Sequence, residues 1–175
     1  MRQVQKARSA ATALLEAHGV LDAPVDVVRI AQQYAGVVFK SLDEEVSGAL
    51  IPLNAQQYTI LVNANQAPVR QRFTVAHELG HLILHAYTSP HADRVFRFRD
   101  AQSSQGVAAE EIQANQFASE LLMPKSLLVK HLQAMDALEF APSDDSAFDR
   151  IILELSTIFE VSKQAMTIRL SSLFA

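Results

Sequence analysis

The chain of 175 residues contains no cysteine and no tryptophan. Without cysteine it has no disulfide framework and no site in which thiolates bind a metal ion. Its net charge of −4 argues against a protein that coats nucleic acid. No apolar run is long enough to span a membrane, and residues 1–8 lack the apolar core of a signal peptide. These absences predict a cytoplasmic protein with no membrane partner.

The hydrophobic content of 49% is enough for one globular domain with a true core and a small appended subdomain. Apolar periodicity predicts an α+β fold in which helices surround a small antiparallel or mixed sheet. Helices are expected at 5–18, 24–35, 67–87, 109–122 and 125–138, with two more in 146–174, and strands at 37–42, 47–53 and 58–63. Residues 88–107 are expected to form a polar loop. Strand 58–63 is interpreted as a sheet edge that can pair with an extended peptide.

The most informative motif is the run His77-Glu78-Leu79-Gly80-His81. Histidines four residues apart lie on one helix face, so both imidazoles can reach one metal ion. Glu78 projects about 100° round the helix, toward a water in an open coordination position. Two neutral imidazoles leave the charge of Zn²⁺ intact, and a carboxylate can take the proton of a water that attacks a carbonyl. An ordinary helix with two histidines is the alternative.

The helix that carries this motif has an apolar side with Val69, Phe73, Ala76, Gly80 and Leu84. The two histidines lie at the edge of that side, where we expect them to be half sheltered from water. Glycine inside a helix costs about 1 kcal/mol relative to alanine, so a packing reason is expected at Gly80. We interpret it as the place where another element approaches the metal.

A third protein ligand is predicted on the helix that begins near Glu110 and Glu111. Glu111 shares its face with small and apolar residues that can press against the histidine helix, whereas Glu110 points about 100° away. Glu111 is therefore the better candidate, and Glu110 better fits a carboxylate that only stabilises the helix N-terminus. Asn115, one turn after Glu111, is placed to accept the second ring N–H of His77.

Four segments resemble the ImmA/IrrE family of metallo-endopeptidases. The closest are RFTVAHELGHLILH at 72–85 and EIQANQFASELLMP at 111–124, which occur in the family's order. Residues 24–31 are similar to the family's amino-terminal helix, and residues 155–170 to its carboxy-terminal element. Gln113 departs from the pattern, because many members carry a second glutamate there.

The resemblance implies that His77, His81 and Glu111 bind zinc and that Glu78 is catalytic. It implies a zincin-like metallopeptidase domain, which we place at residues 1–140, followed by a C-terminal helical subdomain at 141–175. It also implies a zinc-dependent endopeptidase that cleaves a helix-turn-helix repressor or antitoxin. Mn²⁺ is the alternative ion.

Other residues leave alternatives open. His85 continues the four-residue spacing, but it lies about 12 Å along the axis from His77, too far to share one ion. His85, Tyr87 and His91 are each candidates to stabilise an oxyanion, and the sequence does not choose among them. Arg94, Arg97 and Arg99 alternate with Phe96 and Phe98, which favours a half-buried strand or solvated loop over a surface for an acidic partner.

The C-terminal segment resembles a helix-turn-helix around Glu160-Val161-Ser162. From residue 151 onward its cations are only Lys163 and Arg169, fewer than a helix in the major groove normally carries. We therefore interpret it as a structural or substrate-docking element. Two other functions remain alternatives to the endopeptidase: a metal-bound module that grips a regulator without cutting it, and a DNA-binding regulator.

Overall fold

The fold is α+β, as the periodicity predicts. The structure, a computed structural model, describes residues 2–54, 56–85, 91–94, 105–135 and 145–174. The helices of these ranges are α1 (Arg2–Ala17), α2 (Val27–Ala31), α3 (Pro68–His85), α4 (Gln105–Leu122), α5 (Lys125–Ala134), α6 (Asp145–Ile158) and α7 (Lys163–Phe174). The strands are β1 (Gly36–Lys40), β2 (Val46–Pro52), β3 (Tyr58–Asn63) and β4 (His91–Arg94).

The four strands form one mixed sheet in the order β1-β3-β2-β4. Strand β3 runs parallel to β1 and antiparallel to β2, and β4 runs antiparallel to β2. The prediction that strand 58–63 is a sheet edge is therefore wrong, because both sides of β3 are already hydrogen-bonded. Among the described strands, the edges are β1 and β4.

The core lies between the sheet and helices α1, α3 and α4. Strand residues Ile60 and Val62 alternate toward the helices, which is the pattern of a strand with one covered face. Helix α3 packs on β2 and β3 with one side and on α4 with another, and α1 covers α4. Helix α3 is thus enclosed between the sheet and α4. No helix in the described ranges is both long and apolar enough for a membrane crossing.

Two predicted boundaries differ in the structure. The helix expected at 24–35 shortens to α2, because the Asp26 side chain caps it at the backbone N–H of Arg29 and Gly36 already belongs to β1. The loop expected at 88–107 contains β4, which extends the sheet. The residues of β4 are too polar to be recognised as a strand on their own. They form a strand because they pair with β2, which is distant in sequence. Helix α4 begins at Gln105 and not at 109, so Glu110 does not lie in its first turn, contrary to the prediction from the sequence.

Helices α6 and α7 share the hydrophobic core with the rest of the described chain. Phe159, Met166 and Leu170 are buried in the same cluster as residues of α1, α3 and α4. The expected turn lies between the two helices, with Glu160 at φ 51°, and the Ser162 hydroxyl caps α7 at the N–H of Ala165. The division at residue 140 stays a prediction.

Candidate metal centre

Helix α3 brings the two histidines of the motif together. The Nε2 atoms of His77 and His81 lie 3.0 Å apart, as expected for residues on one helix face. Both residues are fully buried rather than half sheltered, with 1% and 0% of their surface exposed. The difference arises because α4 and β2 cover helix α3 from two sides.

Glu111 of α4 completes the cluster. Its Oε2 lies 3.2 Å from His77 Nε2, and its Oε1 lies 3.2 Å from His81 Nε2. One ligand atom from each residue falls within 4.8 Å of the other two, and among the described residues this is the group of histidines and carboxylates able to hold a metal ion. The helical phase deduced from the sequence is thus the one observed, with Glu111 rather than Glu110 at the histidines.

Gly80 is the reason that α4 can come so close. A Cβ at this position would lie 3.0 Å from Phe117 Cδ1 and 3.3 Å from Ala114 Cα. Phe117 and Ala114 are fully buried against the glycine. The expected close approach at Gly80 is confirmed, and the approaching element is the helix that carries Glu111.

Two residues fix the ring of His77. Its Nδ1 lies 3.1 Å from Asn115 Oδ1, the contact expected from the sequence. Phe73, one turn earlier on α3, stacks on the same ring with centroids 6.2 Å apart and planes at 29°. When the ring donates its Nδ1–H to Asn115, Nε2 is the nitrogen that faces His81 and Glu111.

Glu78 lies on the side of α3 that faces the sheet and is fully buried. Strand β2 passes directly over it at Gly48, where a Cβ would lie 2.4 Å from Thr74 Cγ2 and 3.5 Å from Glu78 Oε1. The histidine motif does not predict this contact. The available signal is a single glycine inside a β-prone run, which often marks a bulge or a close backbone approach. The register between β2 and β4 does shift between Val46 and Gly48.

The ionisation state of Glu111 is the one that a cation site requires. Burial by itself would raise the pKa of this carboxyl, but hydrogen bonds from His77 and His81 outweigh burial and hold the pKa below its usual range. Glu111 is therefore ionised at neutral pH. A buried carboxylate is costly unless a positive charge or hydrogen bonds compensate it, and two imidazoles beside it are metal-ligand groups.

The donor set and its spacing fit a divalent transition metal. Two imidazole nitrogens and one carboxylate oxygen are a set used by catalytic zinc, which keeps its fourth position for water or substrate. Four donors at zinc distances stand about 3.3–3.4 Å apart. The separations of 3.0 and 3.2 Å between the donor atoms here are slightly shorter, so a small outward shift of each side chain would admit the ion.

The profile of a peptidase family, described as the IrrE N-terminal-like domain, matches residues 31–171. That match spans four fifths of the chain. The chain belongs to this peptidase family. A search of curated proteins gave no match.

Membership in the IrrE N-terminal-like family implies a metallopeptidase-type function and a protein substrate. The matched range includes α3 and α4 with the whole cluster and extends through most of α7. The family resemblance noted in the sequence is therefore confirmed.

Of the remaining candidates, His85 lies next to the cluster. His85 is the last residue of α3, as expected, and its ring centroid lies 5.6 Å from that of His81. Burial lowers the pKa of His85. The backbones of His91 and Arg94 belong to edge strand β4. Tyr87, Phe96, Arg97, Phe98 and Arg99 lie outside the described residues.

Proposed function

We propose that the protein is a zinc-dependent endopeptidase that cuts a helix-turn-helix repressor or antitoxin. The observation that carries this proposal is the convergence of His77, His81 and Glu111 in a member of a peptidase family, with Glu78 beside the first histidine. Two imidazoles and one carboxylate favour Zn²⁺, whereas Mn²⁺, the alternative, is better suited by more oxygen ligands.

A divalent ion held by these three residues supplies Lewis acidity to a substrate carbonyl and to water. The protein's own contribution to proton transfer is assigned to Glu78. Its carboxylate takes the proton of the attacking water and then gives it to the leaving amine of the cut peptide bond. Burial under β2 keeps this carboxylate away from bulk water and limits its movement.

The other residues around the cluster are assigned the positioning of the three ligands and not proton transfer. Asn115 and Phe73 hold the His77 ring, and Gly80 allows α4 to bring Glu111 to the two imidazoles. Such supporting contacts commonly set the orientation and affinity of metal ligands. Helix-turn-helix regulators act on DNA, so the proposal includes a cytoplasmic location.

The C-terminal helices support a DNA-binding role less well than the cluster of His77, His81 and Glu111 supports a peptidase. Of the two cations on α7, Arg169 is 1% exposed and binds Glu120, which leaves Lys163 to face the solvent. A helix that lies in the major groove needs exposed cations to contact phosphates.

The experiment that tests the proposal asks whether a gene beside this one encodes a helix-turn-helix protein, and uses such a protein as substrate. An unrelated helix-turn-helix protein serves as the control. We expect zinc-loaded protein to produce new termini in the neighbouring regulator, detected by mass spectrometry, and a chelator to prevent this until zinc is restored. Co-elution of the two proteins without cleavage would instead indicate a binding module, and a salt-dependent gel shift by the protein alone would indicate a DNA-binding regulator.

A further inference from the structure

A cavity of about 320 Å³ lies between the first half of α3, the middle of α4 and the beginning of α7. Its volume is at the small end of the range for ligand pockets, about 300–1,000 Å³. Most of its wall is apolar and is formed by Val69, Phe73, Met123, Val161, Ala165 and Ile168. Ile168 is 52% exposed, so the cavity opens to solvent at this residue.

The cavity borders the metal centre, although the three residues of the cluster do not line it. Two of its lining residues, Phe73 and Asn115, also contact the His77 ring. A peptide bond held at the metal centre would therefore have this cavity as its neighbour on the His77 side.

The polar groups of the cavity disfavour a substrate side chain that carries a positive charge. Arg70 lines the cavity, and its Nη2 donates a hydrogen bond to Ser47 Oγ at 3.0 Å. A lysine or arginine side chain entering the cavity would meet this positive charge. Gln116, Ser119 and Gln164 also line the wall and offer amide and hydroxyl groups to the main chain of a bound peptide.

We propose that this cavity binds one apolar side chain of the substrate, of leucine, methionine or phenylalanine size, next to the bond that is cut. The proposal rests on the peptidase function proposed above. It makes α7 a specificity-determining element, because Ala165 and Ile168 form the wall opposite α3 and α4. In an apolar pocket one methylene changes kcat/KM by about 10–200-fold, so leucine should be preferred over alanine by at least about 10-fold.

The first test measures binding without catalysis. Methyl signals of Ala165 and Met123 are followed by NMR while N-acetyl-leucine amide, N-acetyl-alanine amide or N-acetyl-lysine amide is added. We expect saturable shifts with the leucine compound, at concentrations at least about 10-fold lower than with the alanine compound, and none with the lysine compound. No shift with the leucine compound, or equal shifts with the lysine compound, would overturn the proposal.

The second test uses two variants of exposed residues on α7. Ile168→Glu places a charge at the opening, and Ser171→Glu places the same charge on α7 at a residue that does not line the cavity. Ile168→Glu should weaken binding of the leucine compound by about 10-fold or more, and Ser171→Glu should leave it unchanged. Equal binding by both variants would overturn the proposal.

A cleavage map separates this proposal from the proposed function. The wild type and Ala165→Phe, which narrows the cavity, are loaded with zinc and given a denatured protein, and the cut sites are read by mass spectrometry. In the wild-type cuts we expect leucine, methionine or phenylalanine on one side of the cleaved bond. In the cuts made by Ala165→Phe we expect smaller residues at the same position. Wild-type cuts without any side-chain preference would overturn the cavity proposal alone. Absence of all cutting by fully loaded wild type would overturn the proposed function, while the NMR titration still reports whether the cavity binds apolar side chains.

Discussion

At the scale of single residues, the candidate site depends on which of two adjacent glutamates faces the histidines. A shift of one residue rotates a side chain by about 100° round a helix, so the two cannot exchange roles without turning α4. In the structure both carboxylate oxygens of Glu111 lie 3.2 Å from an imidazole nitrogen.

The first prediction compares zinc affinity in three variants. Glu111→Ala should lose most of the affinity, because one proposed ligand is removed, whereas Glu110→Ala should leave it nearly unchanged, because Glu110 is not a member of the cluster. Asn115→Ala should lie between them, with affinity lowered by about 10–100-fold, because His77 loses the partner of its Nδ1. A competitive zinc titration measures all three, and loss of zinc in Glu110→Ala alone would mean that the face of α4 is wrongly assigned.

At the scale of elements, local periodicity in the sequence predicts the helices, the strands and the helix faces that carry the cluster. The histidine spacing and the phase of α4 were enough to bring His77, His81 and Glu111 together, and strand β3 has the bounds expected for it. The order of strands was not accessible, because the residues of a strand do not specify its neighbours. This is why β3 was misplaced at the edge and why β2 was not expected above Glu78.

Gly80 provides a prediction about how α3 and α4 pack. Inside a helix, alanine normally stabilises the fold by about 1 kcal/mol relative to glycine. A side chain that overpacks a buried contact destabilises the fold by about 1–3 kcal/mol. Because the added Cβ would press on Phe117 and the backbone of Ala114, Gly80→Ala should lower the free energy of unfolding and weaken zinc binding. Urea denaturation and zinc titration measure the two effects.

The matched control is Gly36→Ala, where the nearest atom to the new Cβ, Thr59 Oγ1, is at an ordinary 3.5 Å. It should leave zinc affinity unchanged. A gain in unfolding free energy for Gly80→Ala, with normal zinc affinity, would show that α4 does not need the glycine.

At the scale of the whole molecule, a buried ion pair joins α7 to α4. Arg169 of α7 donates Nη2–H to Glu120 Oε2 of α4 at 2.5 Å and Nε–H to the carbonyl oxygen of Met123 at 3.0 Å. The other oxygen of Glu120 accepts the backbone N–H of Lys125 at the start of α5. Three helices therefore meet at one pair of side chains, and α7 keeps its place beside the cavity.

Removing one partner of such a pair leaves the other charge buried. Arg169→Leu should therefore lower the free energy of unfolding by about 3–5 kcal/mol, whereas Lys163→Leu, at an exposed cation of the same helix, should change it by about 0.5 kcal/mol or less. The double variant Glu120→Leu/Arg169→Leu should recover much of the loss, since no unpaired charge remains. Equal denaturation curves for Arg169→Leu and Lys163→Leu would contradict this account of how α7 is held.

The central claim is that a metal ion at His77, His81 and Glu111 serves peptide-bond hydrolysis with Glu78 as the base. The most direct measurement adds zinc stepwise to metal-free protein and records zinc content and cleavage of a denatured test protein on the same samples. Wild-type activity should rise up to one zinc per chain, and Glu78→Gln should bind the same zinc but cut at least about 100-fold more slowly, because an amide cannot accept the proton. Cleavage by fully loaded Glu78→Gln at the wild-type rate, or cleavage by the metal-free protein, would contradict the claim.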